Sequence, residues 1–562
     1  IGVHTMTHPD IANEPDWREQ WELVATERSI RHLTGRESTI WRMPYTAPDE
    51  TIMQSTIDGL LRAQRLGFTH ASYTYDTLDW DHDAVETGRS EDIPMPDLDT
   101  GQDITVLLHD AGGPNRMRSV AYVERLITAA KAKGYTFTTM PQADPPIATA
   151  TATTSPTFWD WATYTVAEFM FAWPTYVMKA LFALAIVGLV LVGLLNAALV
   201  LTRRRRRLQK HWPNPGELGV DTTVILAAYN EEAVIERTLR ALMSSDYPVR
   251  EFVVVDDGSH DRTAEIVEAL SIQDPRVVLL RQPNSGKATA LNLGLTHATS
   301  DVIVTLDADT LIDAHTITNL VRHFAVDQTG RLGAVAGVVR VGNRRRNLLT
   351  RWQALEYVTQ IGLERGAQDA LGAISIVPGA CAAWRREAII EAGGYSSVTL
   401  AEDCDLALTL HRLHWLITQD DEALAYTEAP ETVDDLLKQR TRWTFGTLQA
   451  IFKNRDMIMR PRYGWLGCFV LPNYLISLAI PLLFLPFVFT MALFTLQDDG
   501  PLMLVGYFIA FLLVQLVFAA IAVLVMGEKR REHLIMVPIY RVVYEPLRAY
   551  LLYTSLVLVI TG

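Results

Sequence analysis

Five groups of chemically active residues follow one another in a fixed order between Thr222 and Trp443. They are Asp256-Asp257-Gly258-Ser259, Gly286-Lys287-Ala288, Asp307-Ala308-Asp309, Glu402-Asp403 and Gln439-Arg440-Thr441-Arg442-Trp443. An Asp-x-Asp pair ending an apolar run can hold Mg2+ or Mn2+ against phosphate oxygens and neutralise a leaving diphosphate, so Asp309 and Asp307 are the expected metal ligands. Lys287, in a Gly-Lys turn ahead of a helix, can meet a phosphate. Asp256 or Asp257 can accept hydrogen bonds from a base or a ribose, and Tyr229 and Glu231 can line the same nucleotide pocket. Asp403, beside Glu402, is the candidate general base for an acceptor hydroxyl. Arg440 and Arg442 can counter diphosphate charge, Trp443 offers a flat face to a sugar ring, and Gln439 opens this most specific element. Alone, each group is an ordinary strand-end turn or helix start. In this order they imply transfer of a sugar from a nucleotide diphosphate to a hydroxyl.

A second set lies near the N-terminus. His4 and His8 are four residues apart and can share a metal. Arg42-Met43-Pro44-Tyr45, Asp76-Thr77-Leu78-Asp79-Trp80 and Leu107-Leu108-His109-Asp110 follow, the last closing an apolar run that aims His109 into a site.

The elements that must position these groups are legible in outline. At 562 residues the chain is long enough for several domains. Thr223–Ala227, Phe252–Val255 and Val302–Leu306 are apolar runs of strand length ending in polar residues, with helical patterns between them. They predict a parallel sheet carrying catalytic groups at strand C-termini. Residues 1–140 read as a separate α/β domain, 141–157 as a Pro/Ala/Thr-rich linker, and 158–202 as an aromatic interfacial segment and a first transmembrane helix. Residues 203–465 form the second soluble domain, and 466–562 hold three further hydrophobic regions. Arg203–Arg207 directly after the first span place that end in the cytoplasm and the N-terminal domain outside. Arg541, Glu545 and Arg548, inside the last hydrophobic region, are expected to pair or to line a polymer path. The net charge of −14 with one basic cluster argues against nucleic-acid binding, and three cysteines, all after residue 380, argue against a disulfide framework.

The stretch from about 220 to 450 resembles the processive family 2 glycosyltransferases, the group that includes cellulose, chitin, hyaluronan and poly-N-acetylglucosamine synthases. The resemblance implies a GT-A fold, a UDP-sugar donor and inversion at the anomeric carbon. It assigns metal binding to Asp309, catalytic base to Asp403, and the terminal motif to Gln439, Arg440, Arg442 and Trp443. Pro378-Gly379-Ala380-Cys381 matches the acceptor-side loop loosely. Residues 1–140 resemble the NodB-like polysaccharide deacetylases of carbohydrate esterase family 4. That resemblance makes His4 and His8 ligands of Zn2+ or a similar divalent metal and His109 the general acid, oriented by Asp79, with Arg42 orienting the base. The Asp-Asp pair that opens that family is missing, so residues upstream of Ile1 are expected and the chain as written should be a poor deacetylase.

The two resemblances constrain each other. The expected fold is α/β plus transmembrane helices: an extracellular NodB-like (β/α) barrel, a cytoplasmic GT-A domain and about four membrane spans. The expected function is a multi-pass plasma-membrane enzyme that polymerises UDP-GlcNAc into β-1,6-linked poly-N-acetylglucosamine and exports it. The alternatives are a β-1,4 chitin-like or hyaluronan-type synthase whose outer domain only binds polymer. Expected partners are UDP-GlcNAc, the growing polysaccharide, membrane lipid and a small accessory membrane subunit, with no nucleic acid.

Overall fold

The computed structural model describes residues 1–46, 53–79, 90–109, 117–140, 153–171, 173–478, 501–525, 536–544, 546–547, 549–550, 552–554 and 557. Two compact units make up the chain, Ile1–Val187 and Gly188–Gly562.

The first unit contains α1 (Asp16–Thr34), β1 (Ile40–Trp41), α2 (Gln54–Arg65), β2 (Thr69–His70), β3 (Tyr75–Asp76), β4 (Val106–Leu107), α3 (Met117–Ala132) and α4 (Phe158–Phe171). Val3, Ile11, Leu23, Trp41, Met43, Ala63 and Phe68 pack into one core. β1 pairs with β2 and β3 with β4, both parallel. The expected α/β character is present. Among the described residues the strands stay as two separate pairs, so a closed barrel is not seen.

α5 (Trp173–Leu208) runs from the first unit into the second. Its Ile186–Leu208 stretch is long and apolar enough to cross a membrane. Leu466–Leu478 and Phe508–Leu524 are shorter apolar helices. About four spans were expected, and the described residues supply one of that length. Most of the expected linker and residues 479–500 and 526–535 lie outside the described residues, as do Glu545, Arg548 and the side chain of Arg541. The basic run is more than a topology signal. Arg203 is buried, paired with Asp369 and Asp421 (2.6 Å), and donates to the Gln419 carbonyl.

The second unit is built on an eight-stranded sheet: β5 (Thr222–Ala228), β6 (Glu251–Asp256), β7 (Val277–Arg281), β8 (Val302–Asp307), β9 (Leu311–Ile312), β10 (Leu332–Val341), β11 (Ala382–Arg385) and β12 (Leu416–Thr427). The spatial order is β7-β6-β5-β8-β11-β10-β12-β9. Its helices are α6 (Ile235–Met243), α7 (Thr263–Gln273), α8 (Lys287–His297), α9 (Thr316–Ala325), α10 (Leu348–Glu356), α11 (Leu363–Ala370), α12 (Arg386–Glu391), α13 (Glu402–Arg412), α14 (Val433–Lys453) and α15 (Pro501–Val525). Alternate strand residues feed opposite faces. Val224, Leu226 and Val254 pack with Leu239 and Leu320, while Ile225, Val253 and Val255 pack with Leu291 and Leu406. Both faces are covered, which is why these strands read as unbroken apolar runs.

A parallel sheet was expected, and the pairing is parallel through β7-β6-β5-β8 and again between β10 and β12. β11 runs antiparallel to both β8 and β10, and β9 antiparallel to β12. The chain enters β11 through the tight Pro378–Cys381 turn, closed by the Cys381 N–H on the Pro378 carbonyl, and so reverses its direction. The strand order changes sense between β5 and β8. At such a switch point the loops beyond neighbouring strand ends part and leave a crevice.

Candidate active site

The strand register brings the acidic groups to one sheet edge. Ala228 of β5 lies opposite Asp256 of β6, and Ala227 opposite Asp307 of β8. Asp256 and Asp257 are both buried, and each is bonded within the fold. Asp256 Oδ1 accepts from the Ser259 N–H. Asp257 accepts from Gln282 Nε2 (2.6 Å) and from the Ser285 and Gly286 N–H groups (2.9 Å each). Asp257 therefore fastens the loop that delivers Lys287, a role that its place in a strand-turn did not indicate. Gly258 has φ of 77°, and a Cβ there would lie 2.7 Å from the Asn284 nitrogen. That close approach requires glycine. Opposite, the Asn230 side-chain oxygen accepts from the His260 N–H, and the Glu231 N–H donates to Thr263 Oγ1. These bonds tie the Tyr229–Glu231 loop to the turn after β6, with Tyr229 exposed and edge-on to His260.

Lys287 is the hub. Its Nζ lies 2.6 Å from Asp307 Oδ1 and 3.1 Å from Glu402 Oε1, joining the start of α8, the end of β8 and the start of α13. Burial works against the ammonium, but the Asp307 and Glu402 charges outweigh it and raise its pKa. Next to Glu402, Asp403 accepts from the Gly379 N–H (3.1 Å) and its neighbour's Cys404 N–H (2.8 Å). Burial and the Glu402 charge push Asp403 up to about 6, with Lys287 pulling the other way. A carboxyl poised near neutrality suits a general base. Gly379 was noted in the sequence only within a loose match to the acceptor-side loop, and its bond to Asp403 was not foreseen. It stands between Lys287, Asp403 and Glu402, where a Cβ would be 2.9 Å from Lys287 Nζ.

On the other side of Asp307, burial and the Asp307 charge raise the pKa of Asp309, which accepts from Thr310 Oγ1. Glu231 is pushed up to about 7 by burial and then by the charges of Asp309 and Asp307. Negative charge is thus concentrated beside the hub. Among the described residues no group of three or more His, Cys, Asp or Glu side chains is gathered to hold a metal ion. The Asp307–Asp309 pair fits a cation that takes one or two protein carboxylates and completes its sphere with substrate phosphates and water, as Mg2+ does.

The terminal motif sits on α14 and divides in two. Arg440 does not face the crevice as a diphosphate partner. It is buried, with Nη2 2.6 Å from Glu356 Oε2, and Tyr544 donates to the same oxygen (2.9 Å). Its guanidinium lies 4.4 Å over the Trp443 ring. A buried cation needs such a partner, and Glu356 lies 84 residues away in sequence, out of reach of motif reading. Trp443 packs beside Tyr357, Val341 and Ala429. Arg442 is exposed. Gln439 Oε1 is buried without a hydrogen-bond partner among the described residues.

In the first unit the structure brings His109 and Asp79 together. Asp79 Oδ1 is 2.8 Å from His109 Nδ1, and Oδ2 accepts from the His109 N–H and from Ser119 Oγ. Burial opposes ionisation of Asp79, but the bonds to His109 and Ser119 prevail and hold it at about 2. His4 and His8 stand edge to face, 4.8 Å between ring centroids. His4 Nδ1 bonds the Arg42 carbonyl, and burial lowers its pKa, which keeps the ring neutral as a ligand must be. Arg42 donates to the Thr46 carbonyl and covers the Tyr73 ring. Two imidazoles are an incomplete ligand set for Zn2+.

Residues 223–393 match the family model described as Glycosyl transferase family 2, and residues 1–63 the model Polysaccharide deacetylase. Asp79 and His109 lie beyond the second match. Two curated relatives are named poly-beta-1,6-N-acetyl-D-glucosamine synthase. That of Staphylococcus aureus (strain COL) is 31% identical over 240 residues, 43% of this chain and 58% of its own length. That of Staphylococcus epidermidis is 33% identical over 231 residues, 41% and 55%. The chain thus spans less than two thirds of the curated relatives it matches. A solved mannosyltransferase from Pyrobaculum calidifontis, in complex with GDP-Man and Mn2+, is 24% identical with a TM-score of 0.46, covering 64% of this chain and 97% of that one.

Proposed function

We propose that the second unit polymerises N-acetylglucosamine from UDP-GlcNAc into a β-1,6-linked chain, and that its membrane helices export the product. The observation that carries the reading is the junction of Lys287, Asp307, Glu402 and Asp403 at the strand ends, in a region similar to two poly-β-1,6-N-acetylglucosamine synthases.

In this reading the donor diphosphate enters beside Lys287, which exchanges a carboxylate for a phosphate oxygen. Asp307 and Asp309 would hold Mg2+ or Mn2+, whose charge stabilises the departing diphosphate. Asp403 takes the proton of the acceptor hydroxyl as that oxygen bonds the anomeric carbon. The bond from that carbon to the phosphate oxygen breaks, and UDP leaves. The Gly379 N–H fixes the carboxylate's direction while it does so. Exposed Tyr229 and the Asp256 carboxylate are the proposed nucleotide contacts, and Gln439, Arg442 and Trp443 the proposed sugar-side contacts. Arg440 supports Trp443 from behind. The first unit is proposed as a polysaccharide N-deacetylase-type domain lying outside the cell. Asp79 orients His109 there, and His4 and His8 supply two of the metal ligands.

Purified protein given labelled UDP-GlcNAc and Mn2+ should yield a long polymer cut by a β-1,6-specific hydrolase. Cleavage by chitinase alone, or activity only with another UDP-sugar, would overturn the assignment.

A further inference from the structure

Helix α4 is built inside out. A helix on a water-facing surface buries its apolar stripe and exposes its charges. At about 100° per residue, Asp160, Tyr164 and Ala167 fall on one side of α4. That side is the one turned inward. Asp160 is fully buried, accepting from Arg31 Nη2 of α1 (2.8 Å) and from the Thr157 N–H and hydroxyl (2.7 Å each). Tyr164 stacks on His32 of α1 at 5.0 Å. The opposite side carries Phe158, Trp159 and Val166, with Trp161 and Met170 on its two flanks, all 50% to 67% exposed. Phe158 packs against both tryptophans, so these rings form one surface.

Such a face in water is unfavourable, so something apolar must cover it. The next helix identifies the cover. α5 begins only two residues after α4 ends and includes Ile186–Leu208, the stretch apolar and long enough to cross a membrane. Aromatic rings concentrate at the boundary where a span meets water, and interfacial helices lie there with the apolar face down. We propose that the Phe158–Met170 face of α4 lies in the headgroup layer of a lipid bilayer. The Asp160–Arg31 pair then holds the whole N-terminal unit against the membrane surface. The inference rests on the membrane reading of α5 and is independent of the sugar chemistry.

The test uses the full chain in phosphatidylcholine–phosphatidylglycerol vesicles, with Cys468→Ser removing the exposed thiol while Cys381 and Cys404 stay buried. A bimane label at Val166→Cys is compared with one at Lys131→Cys, an exposed site on α3. The expected result is several-fold stronger quenching of the Val166 label by lipids nitroxide-labelled near the headgroup, with iodide quenching strongly only the Lys131 label. Equal iodide access to both labels would overturn the proposal. So would a Val166 label reached by neither quencher, which would mean a second copy or another protein covers the face. A chain that fails to float with the vesicles would overturn it as well.

Discussion

Replacing Gly379 with alanine tests the Lys287 hub with a single methyl group. The new Cβ would stand 2.9 Å from Lys287 Nζ and 3.7 Å from Asp403 Oδ2 and Glu402 Oε1. Comfortable contact begins near ~3.5 Å, so the ammonium must retreat by roughly half an ångström. Asp307 holds it at 2.6 Å and Glu402 at 3.1 Å, and at least one of those contacts lengthens. The fold should tolerate the change. Gly379 has no positive φ, and only the tip of a flexible side chain has to yield. Stability should therefore change by no more than about 1 kcal/mol. Misplacement of a reacting group by about 1 Å can cost 10²-fold, so kcat should fall about 10- to 100-fold. That is about 1.4 to 2.8 kcal/mol of barrier. UDP release from UDP-GlcNAc with acceptor present, measured beside a melting curve, reads both quantities. A variant that melts normally and keeps kcat within about twofold of the parent would refute the reasoning.

Asp403→Asn should lower turnover by about 10²- to 10⁴-fold while UDP-GlcNAc binding, followed by calorimetry, is retained. Because the base must be ionised and Asp403 is raised to about 6, activity should be full above that pH and fall below it as the carboxyl gains its proton. Lys287→Met removes the charge that lowers the Asp403 pKa, so the acid limb of the rate profile should move to higher pH; an unmoved limb would contradict the assignment. Arg440→Ala removes the cation that faces the buried Glu356 and should destabilise the second unit by about 3–5 kcal/mol in denaturant unfolding. Arg442→Ala, at an exposed position, should change stability by no more than about 0.5 kcal/mol and act on sugar transfer instead.

The contrast between the two arginines shows where sequence reading stops. Asp256 and Asp307 were placed at strand ends because an apolar run closed by a carboxylate is a local pattern, and the register confirms that both lie on one edge. Lys287 could be located at a helix start but not paired. Its partners, Asp307 and Glu402, come from elements 20 and 115 residues further on. Arg440 and Arg442 looked equivalent in the motif. Burial against Glu356 and Tyr544 separates them, and both partners are distant in the chain. Asp257 read as a nucleotide contact because a strand-turn does not reveal that three donors of the next loop will occupy it. The reversed β11 was missed for a similar reason: four residues, Ala382–Arg385, are too short to carry a directional pattern. The aromatic run of α4 was visible in sequence, but its inverted orientation required the Asp160–Arg31 contact.

The central claim is the identity of the product. Purified protein should be incubated with labelled UDP-GlcNAc and Mn2+, and the material digested in parallel with a β-1,6-specific hydrolase and a chitinase. The expected product is a long polymer, absent with Asp403→Asn, that only the β-1,6-specific enzyme shortens. A polymer degraded by chitinase alone, or one still made by the Asp403→Asn variant, would contradict the claim.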